Sequence, residues 1–282
     1  MYPVKIREIA PSCIDDINIM CVMPGSEPDA SSAVLKESAD AHRQAAAMGA
    51  RVFGAFLEGG EPVGRIEIMP IEAAPVPVEG DGLWVIRCIW VLDKAKGLGV
   101  AGSLVRLALD AAQGSRGVAV LTYPGWMPPD FFERFGFERV EPESGRAMVL
   151  LRKADPCDSC RVSLVSPAAR FGQPRGADLQ RHTVLVEAVF GLRCPWVIQQ
   201  YRRYLSITGS ISDKVITPEH VVRTHADALQ LGEENLYIDG VAPFAGPIRR
   251  EELEHAIRSR LADKGITIAE SEAYAPLIVN GN

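Results

Sequence analysis

The sequence predicts a mixed α/β fold of the α+β type, laid out as two successive units. Three observations predict it. A helical stretch is followed by two short strands joined by a tight turn, the mark of an antiparallel hairpin. A long apolar, β-branched run then feeds a glycine-rich turn and another helix. Finally, an aperiodic stretch intervenes, after which strands and helices alternate afresh.

Each element has its own justification. Residues 31–49, "SSAVLKESADAHRQAAAMG", are helix formers closed by Gly49 just past the end. "RVFGAFLEG" and "EPVGRIEIMPI" are strands across the turn "EGGEP". A Pro-rich loop at 72–82 precedes "LWVIRCIWVLD", which reads as a buried central strand. After the glycine turn, Leu104, Leu107, Ala108 and Ala111 recur at i, i+3, i+4 and i+7, the apolar stripe of a helix ending near Gly114. "GVAVLTY" is a second buried strand, "PPDFFERFG" a short helix and "RAMVLLRK" a closing strand.

Between 154 and 180 periodicity is lost and Pro, Gly, Ser and Arg gather, so this stretch reads as a linker between units at 1–153 and 181–282. The second unit reads as strand "HTVLVEAVF", helix "PWVIQQYRRYL", strand at "SDKVIT", helix "PEHVVRTHADALQLG", hairpin "NLYIDGVAPFAGPI" and helix "REELEHAIRSRLADKG".

Composition narrows the classes. The chain has 282 residues, 47% hydrophobic and 23% charged, as in globular proteins. No apolar run is long enough to span a membrane, and "MYPVKIREIAPSC" has no basic region followed by an apolar run, so a cytoplasmic location is expected, with no membrane partner. A net charge of −6 argues against a broad basic face, hence against nucleic acid. The six cysteines are too sparse for a disulfide scaffold. Cys157 and Cys160 form a CxxC with no second pair, and His220 and His225 splay on their expected helix, so no metal site is expected.

"KGLGVAGSLV", residues 96–105, carries the chemistry. A glycine-rich turn entering a helix offers successive backbone N–H groups and the positive end of the helix dipole, a site for phosphate. The Walker spacing fails for want of Lys-Ser/Thr. Gly97, Gly99 and Gly102 match G-x-G-x-x-G literally, but that fingerprint belongs to a parallel βαβ unit with an acid on the next strand, and "GVAVLTY" ends without one.

The wider stretch "VLDKAKGLGVAGSLV" resembles motif A of the GCN5-related N-acetyltransferases (GNAT), with Val91, Lys96, Gly99 and Ala101 in register and Asp93 where proline is usual. "FFERFGFERV" resembles that family's motif B through Gly136 and Phe137. The resemblance implies a mixed, mostly antiparallel sheet flanked by helices, acetyl-CoA as cosubstrate and a small-molecule or peptide amine as acceptor, with a homodimer left open. It implies that the pantetheine arm pairs with the main chain at Trp90 and Val91, and that the pyrophosphate rests on Lys96, Gly97, Leu98, Gly99, Val100, Ala101, Gly102 and Ser103. Lys96 in place of Arg keeps the charge but loses the bidentate fork.

Direct transfer needs a base for the amine, a donor for the oxyanion and an acid for the leaving thiolate. Where many family members place a tyrosine acid, this chain has Phe132. Tyr123 is the substitute candidate, against a structural role at a strand end. Glu67 is a candidate base or else a solvent-facing strand residue. Cys88 is a candidate nucleophile for a ping-pong route or else a small buried hydrophobe.

In "FGLRCPWVIQQYRRYL", Cys194 falls at a helix N-terminus beside Arg193, where the dipole favours thiolate. This resembles the thioredoxin-like arrangement, with Val197 in place of the second cysteine and no proline before "NLYIDG". "CIWV", the glycine loop and "RCPW" together resemble the YoaP-like proteins, which join an acetyltransferase domain to a thioredoxin-like one. The expected function is acetyl transfer to an amine. An acyl-CoA sensor with little turnover and a thiol-dependent protein using Cys194 are the alternatives.

Overall fold

The computed structural model describes residues 4–23, 28–123, 127–140, 147–156, 159–165, 182–244 and 248–266. Its first half is organised by a seven-stranded sheet in the order β1-β2-β3-β5-β6-β8-β7. The strands are β1 (Lys5–Glu8), β2 (Arg51–Phe56), β3 (Pro62–Pro70), β5 (Leu83–Val91), β6 (Gly117–Thr122), β7 (Glu138–Val140) and β8 (Met148–Lys153). Every neighbouring pair is antiparallel except β5 with β6, which run parallel because α3 (Val100–Ala111) lies between them as the crossover. Of the stripe foreseen for that helix, Leu104 and Ala108 are buried and Leu107 and Ala111 half-buried; the buried face also takes in Val100 and Val105 and packs on Ile66, Ile68 and Ile86 of the sheet.

The opposite face of the sheet is covered by α1 (Asp15–Asn18) and α2 (Pro28–Ala47). Where α3 crosses β3, Gly64 lets the elements close. A Cβ there would stand 3.0 Å from Val100 and 3.3 Å from Val91. The short helix α4 (Pro129–Glu133) inserts Phe132, fully buried, edge-on against Phe137 at 5.7 Å between ring centroids.

Two three-residue strands, β4 (Val78–Gly80) and β9 (Val162–Leu164), pair antiparallel. Sequence reading placed both in loops: β4 in the Pro-rich stretch, β9 in the expected linker. Elements this short have no detectable period, and only their mutual pairing makes them strands. Cys157 of the CxxC lies outside the described residues, as does 166–181. Cys160 is buried, its thiol turned to the Arg116 carbonyl.

The second half is built on β10 (Val184–Gly191), which has buried residues along nearly its whole length. It pairs parallel with β11 (Val215–Ile216) and with β12 (Glu219–Val222), two pieces of one line broken at Pro218, and antiparallel with β13 (Asn235–Ile238) on its other side. Helices α5 (Pro195–Gly209), α6 (His225–Leu231) and α7 (Arg250–Asp263) complete it. Two expectations change here. Residues 219–222 are a strand, not the start of a helix, because pairing with β10 overrides a helix-compatible local sequence; the helix begins only at His225, capped by Thr224 and Asp227. Among the described residues the expected hairpin after β13 is a single Ile238–Val241 bridge at a turn where Asp239 adopts φ +48°.

The halves share a buried boundary. Val34 of α2 belongs to the apolar core of the second half, His225 Nδ1 donates to the Ala74 carbonyl at 2.8 Å, and Arg202 pairs with Glu37 at 2.8 Å. No helix among the described residues is long and apolar enough to cross a membrane.

Candidate functional site

The glycine turn forms as its sequence requires. Gly97 and Gly99 take φ +79° and +75°, a left-handed backbone that side chains disfavour, and nothing lies within 4 Å of where their Cβ atoms would be. The turn is thus open on its outer side. Gly99 caps α3 without a side-chain hydrogen bond, and among the described residues no backbone partner meets the amides of Val100, Ala101 and Gly102; Ser103 is the first to bond back, to the Gly99 carbonyl at 3.1 Å. Three donors without a backbone partner and the positive helix end thus adjoin the open side of Gly97 and Gly99, where a pyrophosphate fits, while a Cβ on Gly102 would meet Phe135 at 3.5 Å. Lys96 stands at the rim, paired with Asp93 at 2.6 Å on the exposed surface; the residue replacing the usual proline thus occupies the cation. Leu98 is exposed at the tip, Val100 is buried, and Ala101, Gly102 and Ser103 are half-buried.

Beside this turn the sheet splays. β6 follows β5 only from Leu83 to Ile86, then leaves to pair with β8 alone. The register of β5 against β3 shifts at the same point, so that Glu67 faces Cys88 while Ile68 faces Ile86, and Arg87 is the inserted residue. Past the bulge, Ile89, Trp90 and Val91 run along an edge that β6 does not cover. An extended chain with amides can add there as a strand would.

On the far side of the sheet from α3 lies a buried polar cluster. Arg65 donates through Nη1 to Asn18 at 2.5 Å, and Asn18 donates to Ser38, which donates to the Arg193 carbonyl. His42 Nε2 donates to the same carbonyl at 2.8 Å, while its Nδ1 lies 3.5 Å from Glu67. Arg193 reaches 3.2 Å from Glu67 and donates to the Met69 sulfur. Glu67 is therefore not solvent-facing. It is 1% exposed; burial alone would raise its pKa, but Arg193 and His42 outweigh burial and hold it well below the usual carboxylate range. A carboxylate so committed joins the two halves of the chain and is out of reach of an amine, which corrects its candidacy as a direct base. Burial in turn lowers His42 and brings Arg193 down to about 10.

The thiols behave differently from expectation. Cys194 caps α5 as foreseen, but its pKa rises well above normal, because it shares a proton with Cys21 and is enclosed. Cys21, beside Arg65, is the lowered member of the pair. The helix dipole does not decide the outcome at Cys194, so the activated-thiolate expectation is corrected. Burial pushes Cys88 up to about 11, which keeps it a thiol at neutral pH and unsuited to nucleophilic attack. Among the described residues no cluster of His, Cys, Asp and Glu is arranged to hold a metal ion.

Tyr123, half-buried at the end of β6, faces the second half across the boundary. Burial raises its pKa well above normal, and the nearby Glu233 and Glu234 add to this, so the phenol stays protonated. Phe132 is core.

Sequence reading missed the residues that bridge the boundary at this point. Arg87 donates through Nη2 to Glu234 Oε1, which also accepts from the Gly191 amide at 2.9 Å. A charge inside the apolar run "LWVIRCIWVLD", like Arg65 and Glu67 inside β3, was the available signal.

Residues 20–137 match the model of the acetyltransferase (GNAT) family. Among solved structures, the chain is similar to a GNAT-family acetyltransferase of Staphylococcus aureus (12% identity, 54% of this chain and all of that one, TM-score 0.41). It is also similar to one of Brucella melitensis in complex with acetyl-CoA (21%, 58% and 96%, TM-score 0.39). A third likeness is to one of Escherichia coli in complex with CoA (20%, 54% and 82%, TM-score 0.38). None of the curated proteins matches the chain. The matched segment spans the glycine turn, the splayed strands and the Phe132 helix, and its class is that of an acyltransferase.

Proposed function

We propose, with the acetyltransferase match of residues 20–137 as premise, that this protein transfers an acetyl group from acetyl-CoA directly to an amine. One observation carries the reading: the glycine turn, open at Gly97 and Gly99 and followed by orphan amides, adjoins the edge of β5 that β6 leaves uncovered. The turn amides would take the pyrophosphate, and the main chain at Trp90 and Val91 the pantetheine amides. The thioester then falls near the bulge at Arg87 and Cys88. Tyr123, protonated and half-buried beside that point, supplies the proton for the departing thiolate. Cys88 and Glu67 form the wall and its support, and the route needs no acetyl-enzyme. The second half, residues 182–266, closes the acceptor side and supplies Cys194 as part of that wall; its likeness to the thioredoxin-like and YoaP-like proteins belongs to this reading.

Calorimetric titration of acetyl-CoA tests it. Wild type should bind, and Gly99→Glu, whose side chain enters the pyrophosphate approach, should lose affinity at least about 100-fold, or ~2.7 kcal/mol. Melting temperature verifies that the variant, which carries a left-handed residue, is folded. Absence of binding by the wild type would overturn the proposal.

A further inference from the structure

The Arg87–Glu234 pair is only half satisfied. Arg87 spends Nη2 on Glu234, and Glu234 spends Oε1 on Arg87 and on the Gly191 amide. Among the described residues neither Arg87 Nη1 nor Glu234 Oε2 has a partner, and neither is among the sealed unpartnered atoms, a set that includes Arg87 Nε. The two side chains keep 14% and 19% of their surface exposed although they lie between the two halves. Solvent therefore reaches both.

The setting of the pair is specific. A Cβ on Gly191 would stand 2.7 Å from Glu234 Oε1 and 3.3 Å from Arg87 Nη2, so only glycine leaves room for the pair. Tyr123 stands close enough for both groups to act on its phenol, and Tyr201 of α5 is close to Glu234. Arg87 is itself the bulged residue at the splay of β5 and β6. A guanidinium nitrogen and a carboxylate oxygen of one ion pair, both unspent among the described residues, complement a molecule that carries both an anion and an ammonium.

We infer that the acceptor is a small zwitterion, a primary amine bearing an oxyanion such as a carboxylate, held with its oxyanion on Arg87 Nη1 and its ammonium on Glu234 Oε2. The inference rests on the acetyl-transfer reading and names its substrate class. Glu234 takes one proton from the ammonium. The freed nitrogen lone pair forms the C–N bond to the thioester carbonyl carbon, and the C–S bond breaks with its electron pair going to sulfur. Tyr123 protonates that sulfur and recovers a proton from the nitrogen, and Glu234 releases the first proton to solvent. The balance is one amide, one free CoA thiol and one proton.

The test is CoA-thiol release by the full chain with acetyl-CoA and matched amines: the standard amino acids, their α-amides, and aminomethylphosphonate against glycine to separate a carboxylate from a phosphonate. At least one amino acid should exceed its amide by about tenfold or more in kcat/KM. Arg87→Gln should collapse that ratio toward one through KM while calorimetry still shows acetyl-CoA binding, and Arg87→Lys should restore part of it. The lysine variant also stands in should the glutamine variant not fold. Equal rates for acid and amide, an unchanged ratio in both Arg87 variants, or acetyl-CoA binding with no zwitterion acetylated would overturn this inference and leave the acetyl-transfer reading standing. A faster phosphonate than carboxylate would keep the inference and reassign the oxyanion. Failure of the wild type to bind acetyl-CoA would overturn both.

Discussion

Phe132 shows what one side chain can and cannot tell. Its identity already excluded a phenolic acid at that position, and its complete burial against Phe131 and Phe137 shows why the ring is apolar. Phe132→Tyr would bury a hydroxyl among rings, at a cost of about 1–3 kcal/mol when no partner is found. Thermal melting should fall by about 2–4 °C per kcal/mol, and CoA release should not rise; a faster enzyme would show that the acid belongs there and not at Tyr123. The glycines were equally legible, because φ near +75° demands them. The thiols were not. A helix N-terminus suggested an acidic Cys194, but the proton shared with Cys21, 173 positions away in sequence (194 − 21), and enclosure by the opposite half decide its state.

At the scale of elements, the legible ones were those that bury a stripe or a run: the β2–β3 hairpin, β5, α3, β6, β8, β10 and α5. The strands that escaped, β1, β4, β7, β9 and β12, are short, as is α1; β1, β4, β9 and β12 owe their existence to a partner distant in sequence, β7 to its neighbour β8. Packing between two legible elements gives a sharper expectation. Gly64→Ala places a methyl 3.0 Å from Val100 and 3.4 Å from Leu104, so α3 must withdraw from β3. Overpacking of this kind costs about 1–3 kcal/mol. Because Val100 opens the helix whose amides face the pyrophosphate approach, acetyl-CoA affinity should weaken several-fold along with the melting temperature, as calorimetry and thermal melting would measure. Loss of stability with full affinity would mean that the turn moves independently of the helix.

For the whole molecule, the decisive feature is the charged seam between the halves: its charges show in the sequence as interruptions of apolar strands, but their pairing across the boundary does not. Glu67 titrates below its unfolded value of about 4.3 and His42 below its own of about 6.5, so in both cases the unfolded chain binds more protons and stability rises with pH. The His42 contribution is present above about pH 6.5 and is lost as pH falls through its depressed folded value. That of Glu67 is present above about 4.3 and is lost below it. Melting temperature measured from pH 7 to pH 3 should therefore decline through both windows in the wild type, and Glu67→Gln should lose the lower one. An identical acid limb in the two proteins would show that the seam does not hold the halves together.

The bond between Arg87 and Glu234 has a further consequence, in time. It closes a span of 147 residues, whereas the turn that would receive the pyrophosphate is made by a strand, three glycines and a helix that follow one another directly. Contacts of such different range do not form together; the local ones come early and the distant ones wait for the chain ends to meet. On the proposed assignment, a folding molecule thus acquires the place for the donor before the place for the acceptor.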